Sequence, residues 1–160
     1  MLHLTSLAGA PMTFVESGLV VPFDLTIVGD GALQTEIDAG GVDRIFEVQA
    51  NLQIGGLTLR NGDASTGSLN CGAIEVQSGD LVVTCSRLID NRALAGGSIA
   101  ASDFNSEVRL LFTTAQDNVA SANGGAIGCD GCGGVHVLLS RLVDNLAGAR
   151  AVRSTRSARR

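Results

Sequence analysis

The chain has 160 residues, enough for one domain with a buried core, and 45% of them are hydrophobic, which excludes general disorder. There is no Trp or Tyr and there are only five Phe, but there are 21 Gly, so a core must consist of small aliphatic side chains in a fold that turns often. All eleven basic residues are Arg; residues 1–149 carry six of them against sixteen acidic residues, a balance of −10 that argues against nucleic acid as a partner.

No apolar run approaches the roughly 20 residues needed to span a bilayer, so we expect no membrane-spanning segment. Residues 1–18 contain no clear copy of the pattern found further along and are predicted to be a ragged N-terminal segment or a partial first coil. Residues 19–152 carry that pattern throughout. Residues 153–160, rich in Arg and Ser, are predicted to be a disordered tail.

Two marks repeat along residues 19–152. The first is an asparagine that ends an apolar segment, with steps of 30, 27 and 27 residues: Asn61, Asn91, Asn118 and Asn145. The second is a box of small residues closed by an aliphatic one: Cys71–Ile74, Gly96–Ile99, Gly124–Ile127 and the weaker Ala149–Val152. Because two separate marks keep one period, the sequence predicts a structural repeat of roughly 27 residues.

Within each period the apolar residues alternate, which is typical of β-strands with one buried face. The alignment predicts three equivalent inward triplets: Leu81, Val83 and Cys85; Val108, Leu110 and Phe112; Val135, Val137 and Leu139. A second inward column is predicted from the box: Phe46, Ile74, Ile99, Ile127 and Val152. His136 and Arg109 lie between inward positions and are therefore expected to point outward.

The period is too short for a propeller blade and contains no segment with helical spacing. It suits a coil that makes one turn and stacks on the next, with equivalent strands pairing in parallel about 4.8 Å apart. The sequence therefore predicts an all-β fold, a right-handed parallel β-helix of about five coils. The asparagines are expected to occupy left-handed corners and to bond to one another as a ladder between coils.

The alternation of a Gly-Gly-Ala-Ile box with a short segment ending in Asp-Asn resembles the repeats of polymorphic outer-membrane proteins and related bacterial β-helix surface proteins. The resemblance covers residues 19–152. Three residues depart from it: Cys71 for the first glycine, Ser98 for the alanine and Ala115 for a bulky residue. It implies a pectin-lyase-like solenoid, an extracellular or cell-surface location, an adhesion-type role and a longer parent protein. It implies no catalytic residue.

Asp90, Asp117 and Asp144 each precede an asparagine of the series, so stacking would place three carboxylates along one edge. Such a row could bind Ca²⁺, which prefers oxygen ligands, and this is the one cofactor the sequence suggests. The alternative is a solvated turn edge on which Asp is used for its turn chemistry, and we favour that alternative.

The four cysteines are Cys71, Cys85, Cys129 and Cys132. Cys129 and Cys132 could be half of a zinc site, but no second half with matching spacing is present. A disulfide between them is expected if the protein is exported. Cys85 is predicted to be a small buried hydrophobic residue because it aligns with Phe112 and Leu139.

The sequence favours a non-catalytic surface module used for adhesion, binding or display, with a glycan or a protein as partner. Outward residues such as Arg109, His136, Thr84 and Thr113 would make the contacts, and uncapped ends would allow end-to-end self-association.

The alternative is an incomplete carbohydrate-active enzyme of the pectate-lyase-like class, a lyase or a glycoside hydrolase. No adjacent Asp-Asp pair and no Gly-His-Gly segment is present to support that alternative. A spacer without any ligand is the third hypothesis.

Overall fold

A computed structural model describes residues 1–4, 12–13, 18–65 and 71–148. The predicted tail at residues 153–160, the last box residue Val152 and part of the N-terminal segment lie outside the described residues. All regular structure in the described residues is β-strand, and every strand pair is parallel.

The strands form four sheets, of which A, B and C extend through five or six coils and D through three. Sheet A consists of β1 (Leu2–Leu4), β4 (Leu25–Gly29), β7 (Leu52–Gly55), β10 (Leu81–Thr84), β14 (Glu107–Leu111) and β18 (Gly134–Leu138). Sheet B consists of β2 (Met12–Thr13), β5 (Glu36–Asp38), β8 (Thr58–Arg60), β11 (Arg87–Ile89), β15 (Thr114–Gln116) and β19 (Arg141–Val143). Sheet C consists of β3 (Leu19–Val21), β6 (Phe46–Val48), β9 (Ile74–Val76), β13 (Ile99–Ala101) and β17 (Ile127–Cys129). Sheet D is short and consists of β12 (Arg92–Ala93), β16 (Val119–Ala120) and β20 (Leu146–Ala147).

From the second coil onwards, the chain passes through sheet C, then A, then B, and in the later coils D, before it returns to C. Paired residues in neighbouring coils lie about 27 positions apart, as Val83 and Leu110 do in sheet A. Sheet C has five strands, one from each coil. The predicted all-β parallel β-helix of about five coils is therefore confirmed.

Columns of aliphatic side chains fill the interior. Leu52, Leu81 and Val108 stack in register from sheet A and are fully buried. The box column Phe46, Ile74 and Ile99 stacks in the same way from sheet C, and all three are buried. Burying a large aliphatic side chain contributes about 1.5–3 kcal/mol, so these columns supply the main driving force for stacking the coils.

The third residue of each predicted inward triplet points the other way. Cys85, Phe112 and Leu139 have φ angles of 47°, 51° and 50°. All three side chains are exposed, Phe112 to 60% and Leu139 to 79%. The predicted burial of these three residues is wrong, because strict alternation holds only for extended backbone. A left-handed residue at the corner between sheets A and B ends the alternation, so the next residue faces inward instead.

The residues that do turn inward at this corner form a ladder of hydroxyl groups. The backbone N–H of Thr113 donates to Ser140 Oγ at 3.0 Å, and that of Ser86 donates to Thr113 Oγ1 at 3.5 Å. Each hydroxyl also donates to the carbonyl two residues earlier, at 2.7–3.0 Å. Thr113 is therefore buried, and its predicted outward role is wrong.

The asparagine ladder runs along the next corner. Asn91 Nδ2 donates to Asn118 Oδ1 at 2.9 Å, and Asn118 Nδ2 donates to Asn145 Oδ1 at 2.8 Å. Asn91 and Asn118 are completely buried. The left-handed positions belong to the preceding residues Asp90, Asp117 and Asp144, at φ 53–55°, and not to these asparagines as the sequence suggested.

Asn61 is not part of this ladder. It is itself left-handed, at φ 54°, and its backbone N–H bonds to Ile89, which places it in register with Asp90. The ladder position of that coil is taken by Gly62, whose N–H donates to Asn91 Oδ1 at 2.9 Å. The prediction for Asn61 is wrong because the strands of these two coils pair at an offset of 29 residues, as Thr58 and Arg87 do, one less than the step of 30 from Asn61 to Asn91.

Candidate binding surfaces

The outer face of sheet A carries a row of side chains at strand spacing. In register they are Thr26, Gln53, Val82, Arg109 and His136. Arg109 and His136 are about half exposed, as the alternation predicted. Thr84 is only half-buried beside them, and its hydroxyl donates to the carbonyl of Ile54 at 3.3 Å. The row runs along the helix axis and is polar except at Val82.

Carboxylate and amide groups order the loop edge where sheet A begins. The backbone N–H of Asn51 donates to Asp24 Oδ1 at 3.0 Å, that of Asp80 to Asn51 Oδ1 at 2.9 Å, and that of Glu107 to Asp80 Oδ1 at 2.9 Å. Glu107 also pairs with Arg109 and lies 3.9 Å from His136 Nε2. The exposed ion pair between Arg109 and Glu107 contributes little to stability, so Arg109 is available to a ligand at small cost.

A second surface feature is a cleft of about 480 Å³ at the corner after sheet B. Its walls include Asp38, Gly40, Gly41, Asn61, Asp63, Asp90 and Arg92. The residues come from three successive coils, and their side chains are mostly charged or polar. Sequence reasoning missed Asp38, Asp63 and Arg92, because they fall outside the regular repeat marks.

The carboxylate of Asp38 is the most tightly held group in this cleft. It accepts hydrogen bonds from Gly40 N at 2.8 Å, Asn61 Nδ2 at 3.0 Å and Arg60 Nε at 2.9 Å. Burial by itself raises the pKa of Asp38, but these hydrogen bonds and the charge of Arg60 outweigh burial and hold the pKa below its ordinary value. Asp38 is therefore a structural anion and is poorly suited to donate a proton.

The proposed calcium edge is present as a column of exposed carboxylates. Asp90, Asp117 and Asp144 are exposed, one per coil, and Asp117 accepts a hydrogen bond from Gln116 Nε2 at 2.9 Å. Among the described residues, no group of three or more His, Cys, Asp or Glu side chains is arranged to hold a metal ion. The calcium hypothesis for this edge therefore gains no support from the geometry.

The cysteines divide into a bonded pair and two free thiols. Cys129 and Cys132 form a disulfide across the turn between β17 and β18. Cys71 is completely buried, and burial raises the pKa of its thiol far above the ordinary value. Cys85 is exposed at the corner between sheets A and B.

Thiol titration with an aromatic disulfide reagent is expected to reflect this division. The native protein should react at Cys85 alone, because Cys71 is enclosed and stays protonated. Denaturation should raise the number of reactive thiols to two. In protein that is first reduced and then denatured, the number should be four. Four reactive thiols in unreduced, denatured protein would contradict the disulfide, and a Cys85→Ser variant provides the control for the native signal.

Among the described residues, no helix is long and apolar enough to cross a membrane.

These features define the chain as a parallel β-solenoid whose described surface has polar strips and open clefts. No protein-family model matches the chain, and neither a curated protein nor a solved structure is significantly similar to it. The likeness to polymorphic outer-membrane proteins therefore rests on the repeat residues alone and stays a prediction.

Proposed function

We propose that this chain is a non-catalytic β-helical module of the extracellular or cell surface, which binds a glycan or protein partner through the outer face of sheet A. The observation that carries the proposal is the in-register row, polar except at Val82, that ends in Arg109 and His136. Side chains spaced at one strand separation suit a partner that is itself extended, because each coil offers one side chain to the next stretch of that partner.

Two further features support this function. Polar side-chain ladders join the coils at three corners, so the side chains of sheet A are held on a rigid support. The Cys129–Cys132 disulfide is typical of proteins in oxidising compartments and supports export. A rigid, exported solenoid is suited to display a surface, with or without catalysis.

The first experiment measures retention of the folded protein on immobilised acidic polysaccharides, with Ca²⁺ and with a chelator, while the release of shortened or unsaturated products is followed. We expect binding without product. An Arg109→Ala, His136→Ala double variant should weaken binding about tenfold, equivalent to about 1.4 kcal/mol. Gln116→Ala, on sheet B, is the matched control and should bind as the unmodified chain does.

Equal binding by the double variant and the control would show that the partner does not bind through Arg109 and His136 of sheet A. Absence of retention on every glycan and on candidate protein partners would favour the spacer hypothesis.

The alternative is a polysaccharide lyase or glycoside hydrolase, and one observation favours it. The cleft after sheet B brings Asp38, Asp63, Asp90 and Arg92 to one place. Paired carboxylates and a cation are the groups that such chemistry uses. Product release that is lost in Asp63→Asn and Asp90→Asn variants would establish this alternative and overturn the non-catalytic proposal.

A further inference from the structure

The corner between sheets A and B carries a strip of apolar side chains, named here the apolar ridge, all exposed except the half-buried Leu111: Cys85, Leu111, Phe112, Leu138 and Leu139. Phe112, Leu138 and Leu139 are 60%, 51% and 79% exposed. Leu111 and Leu138 are paired in register, and the N–H of Phe112 bonds to the carbonyl of Leu138, so the strip is continuous from coil to coil. Contiguous exposed apolar patches rimmed by polar residues mark protein or membrane interaction sites.

The backbone conformation makes these residue types unexpected. Left-handed positions favour Gly, Asn and Asp, because other side chains crowd the following carbonyl. The corner after sheet B follows this rule with Asn61, Asp90, Asp117 and Asp144. The corner of the ridge uses Cys85, Phe112 and Leu139 instead, at φ 47–51°. Neither backbone conformation nor burial explains these three residues, and strained non-glycine positions concentrate at functional sites.

Basic side chains lie on both sides of the ridge. Arg109 and His136 flank it on sheet A, and Arg87 and Arg141 flank it on sheet B. Arg109 pairs with Glu107, whereas no carboxylate of the described residues lies within ion-pair distance of Arg87 or Arg141. The acidic column of Asp90, Asp117 and Asp144 lies at the opposite ends of the strands of sheet B, directly after their last residues.

We propose that the apolar ridge inserts into the interface of an anionic lipid bilayer, with the flanking arginines on its headgroups. Apolar side chains bordered by Arg are the combination with which peripheral proteins bind such surfaces. The ridge projects at the corner between two sheets, so it can enter a lipid interface without a matching groove. Two copies packed ridge to ridge would bring like-charged rims together, which disfavours a self-contact. This inference goes beyond the proposed function and does not depend on it.

The structure allows a variant that removes the apolar contact and keeps the fold. Asparagine tolerates the left-handed conformation better than Phe or Leu, so a Phe112→Asn, Leu139→Asn double variant should unfold at the same denaturant concentration as the unmodified chain or at a higher one. A loss of lipid binding in this variant therefore cannot result from misfolding. Arg87→Gln with Arg141→Gln tests the basic rim separately.

The experiment is co-sedimentation of the full chain with vesicles of phosphatidylcholine alone and of phosphatidylcholine mixed with phosphatidylglycerol. We expect binding to the anionic vesicles that weakens with added salt. The double Asn variant should lose at least about tenfold in partitioning, and the double Gln variant should lose the preference for anionic vesicles. Thr114→Ala, between the two arginines, should bind normally.

Two results would overturn the proposal. One is a double Asn variant that is at least as stable as the unmodified chain and partitions equally. The other is an unmodified chain that binds neither vesicle type. That result would overturn the proposal even if substitutions in the ridge dissociated a dimer or released a protein partner.

Discussion

Replacement of Asn118 by alanine is expected to lower the free energy of unfolding by about 3 kcal/mol or more, a large share of the roughly 5–15 kcal/mol that stabilises a domain. Asn118 is fully buried and bonds in both directions along the ladder. Its Oδ1 accepts from the backbone N–H and from Nδ2 of Asn91, at 3.1 and 2.9 Å. Its Nδ2 donates to Asn145 Oδ1 at 2.8 Å and to the carbonyl of Leu88 at 3.0 Å.

Alanine removes the shared partner, so the backbone N–H of Asn91 loses its acceptor, and Asn91 Nδ2 and Asn145 Oδ1 each lose one of their two bonds. A buried polar group left without a partner costs about 1–3 kcal/mol. Urea unfolding followed by circular dichroism measures the effect. Asp117→Asn is the matched control, because it lies next to Asn118, is exposed and keeps a residue suited to the left-handed position. A midpoint for Asn118→Ala that matches the control would show that the ladder contributes little.

Replacement of Gly97 by alanine is expected to be at least as damaging. The glycines at the second position of the boxes, Gly72, Gly97 and Gly125, lie above one another where neighbouring coils approach closely. A Cβ on Gly72 would overlap the carbonyl oxygen of Gly97, and a Cβ on Gly97 would overlap that of Gly125 and lie 2.8 Å from the backbone nitrogen of Val119. These atoms are backbone, and inter-coil hydrogen bonds from Gly97 N to Gly124 O and from Val119 N to Asn91 O hold the chain around them, so they cannot move aside singly.

We therefore expect Gly97→Ala to cost about 3 kcal/mol or more, at or above the upper end of ordinary overpacking, and to yield little folded protein. Gly41→Ala separates this steric effect from backbone strain. Gly41 has φ 73° and open space around its Cβ position, so alanine there should cost only about 1–2 kcal/mol. Soluble yield and thermal unfolding of the two variants make the comparison. A Gly97→Ala protein as stable as Gly41→Ala would contradict the close approach of the coils.

The candidate surfaces could be predicted only in part. The outward position of Arg109 and His136 follows from alternation within one strand, which is a local property. The cleft after sheet B could not be predicted, since Asp38, Asp63 and Asp90 lie in three coils and share no repeat mark. Arg60 and Asn61 lie 22 and 23 residues from Asp38 in the sequence and form hydrogen bonds with it. Only an alignment of the coils accurate to one residue could have predicted these contacts from the sequence.

The sequence by itself determined the solenoid. A period near 27 residues, two-residue alternation and glycine boxes leave stacked parallel coils as the arrangement that buries the aliphatic columns of sheets A and C. The sequence also placed Asn91, Asn118 and Asn145 in a common column, because their spacing equals the length of one coil.

The tertiary structure decided what happens at the corners. A left-handed residue reverses the side-chain alternation, and the pattern of apolar residues alone does not reveal where that reversal falls. Phe112 and Leu139 read as core residues in the sequence and lie on the surface, whereas Thr113 reads as a surface residue and is buried. Local spacing specifies the strands, but the hydrogen bonds between coils select the backbone conformation of each corner and so determine which side chains a partner can reach.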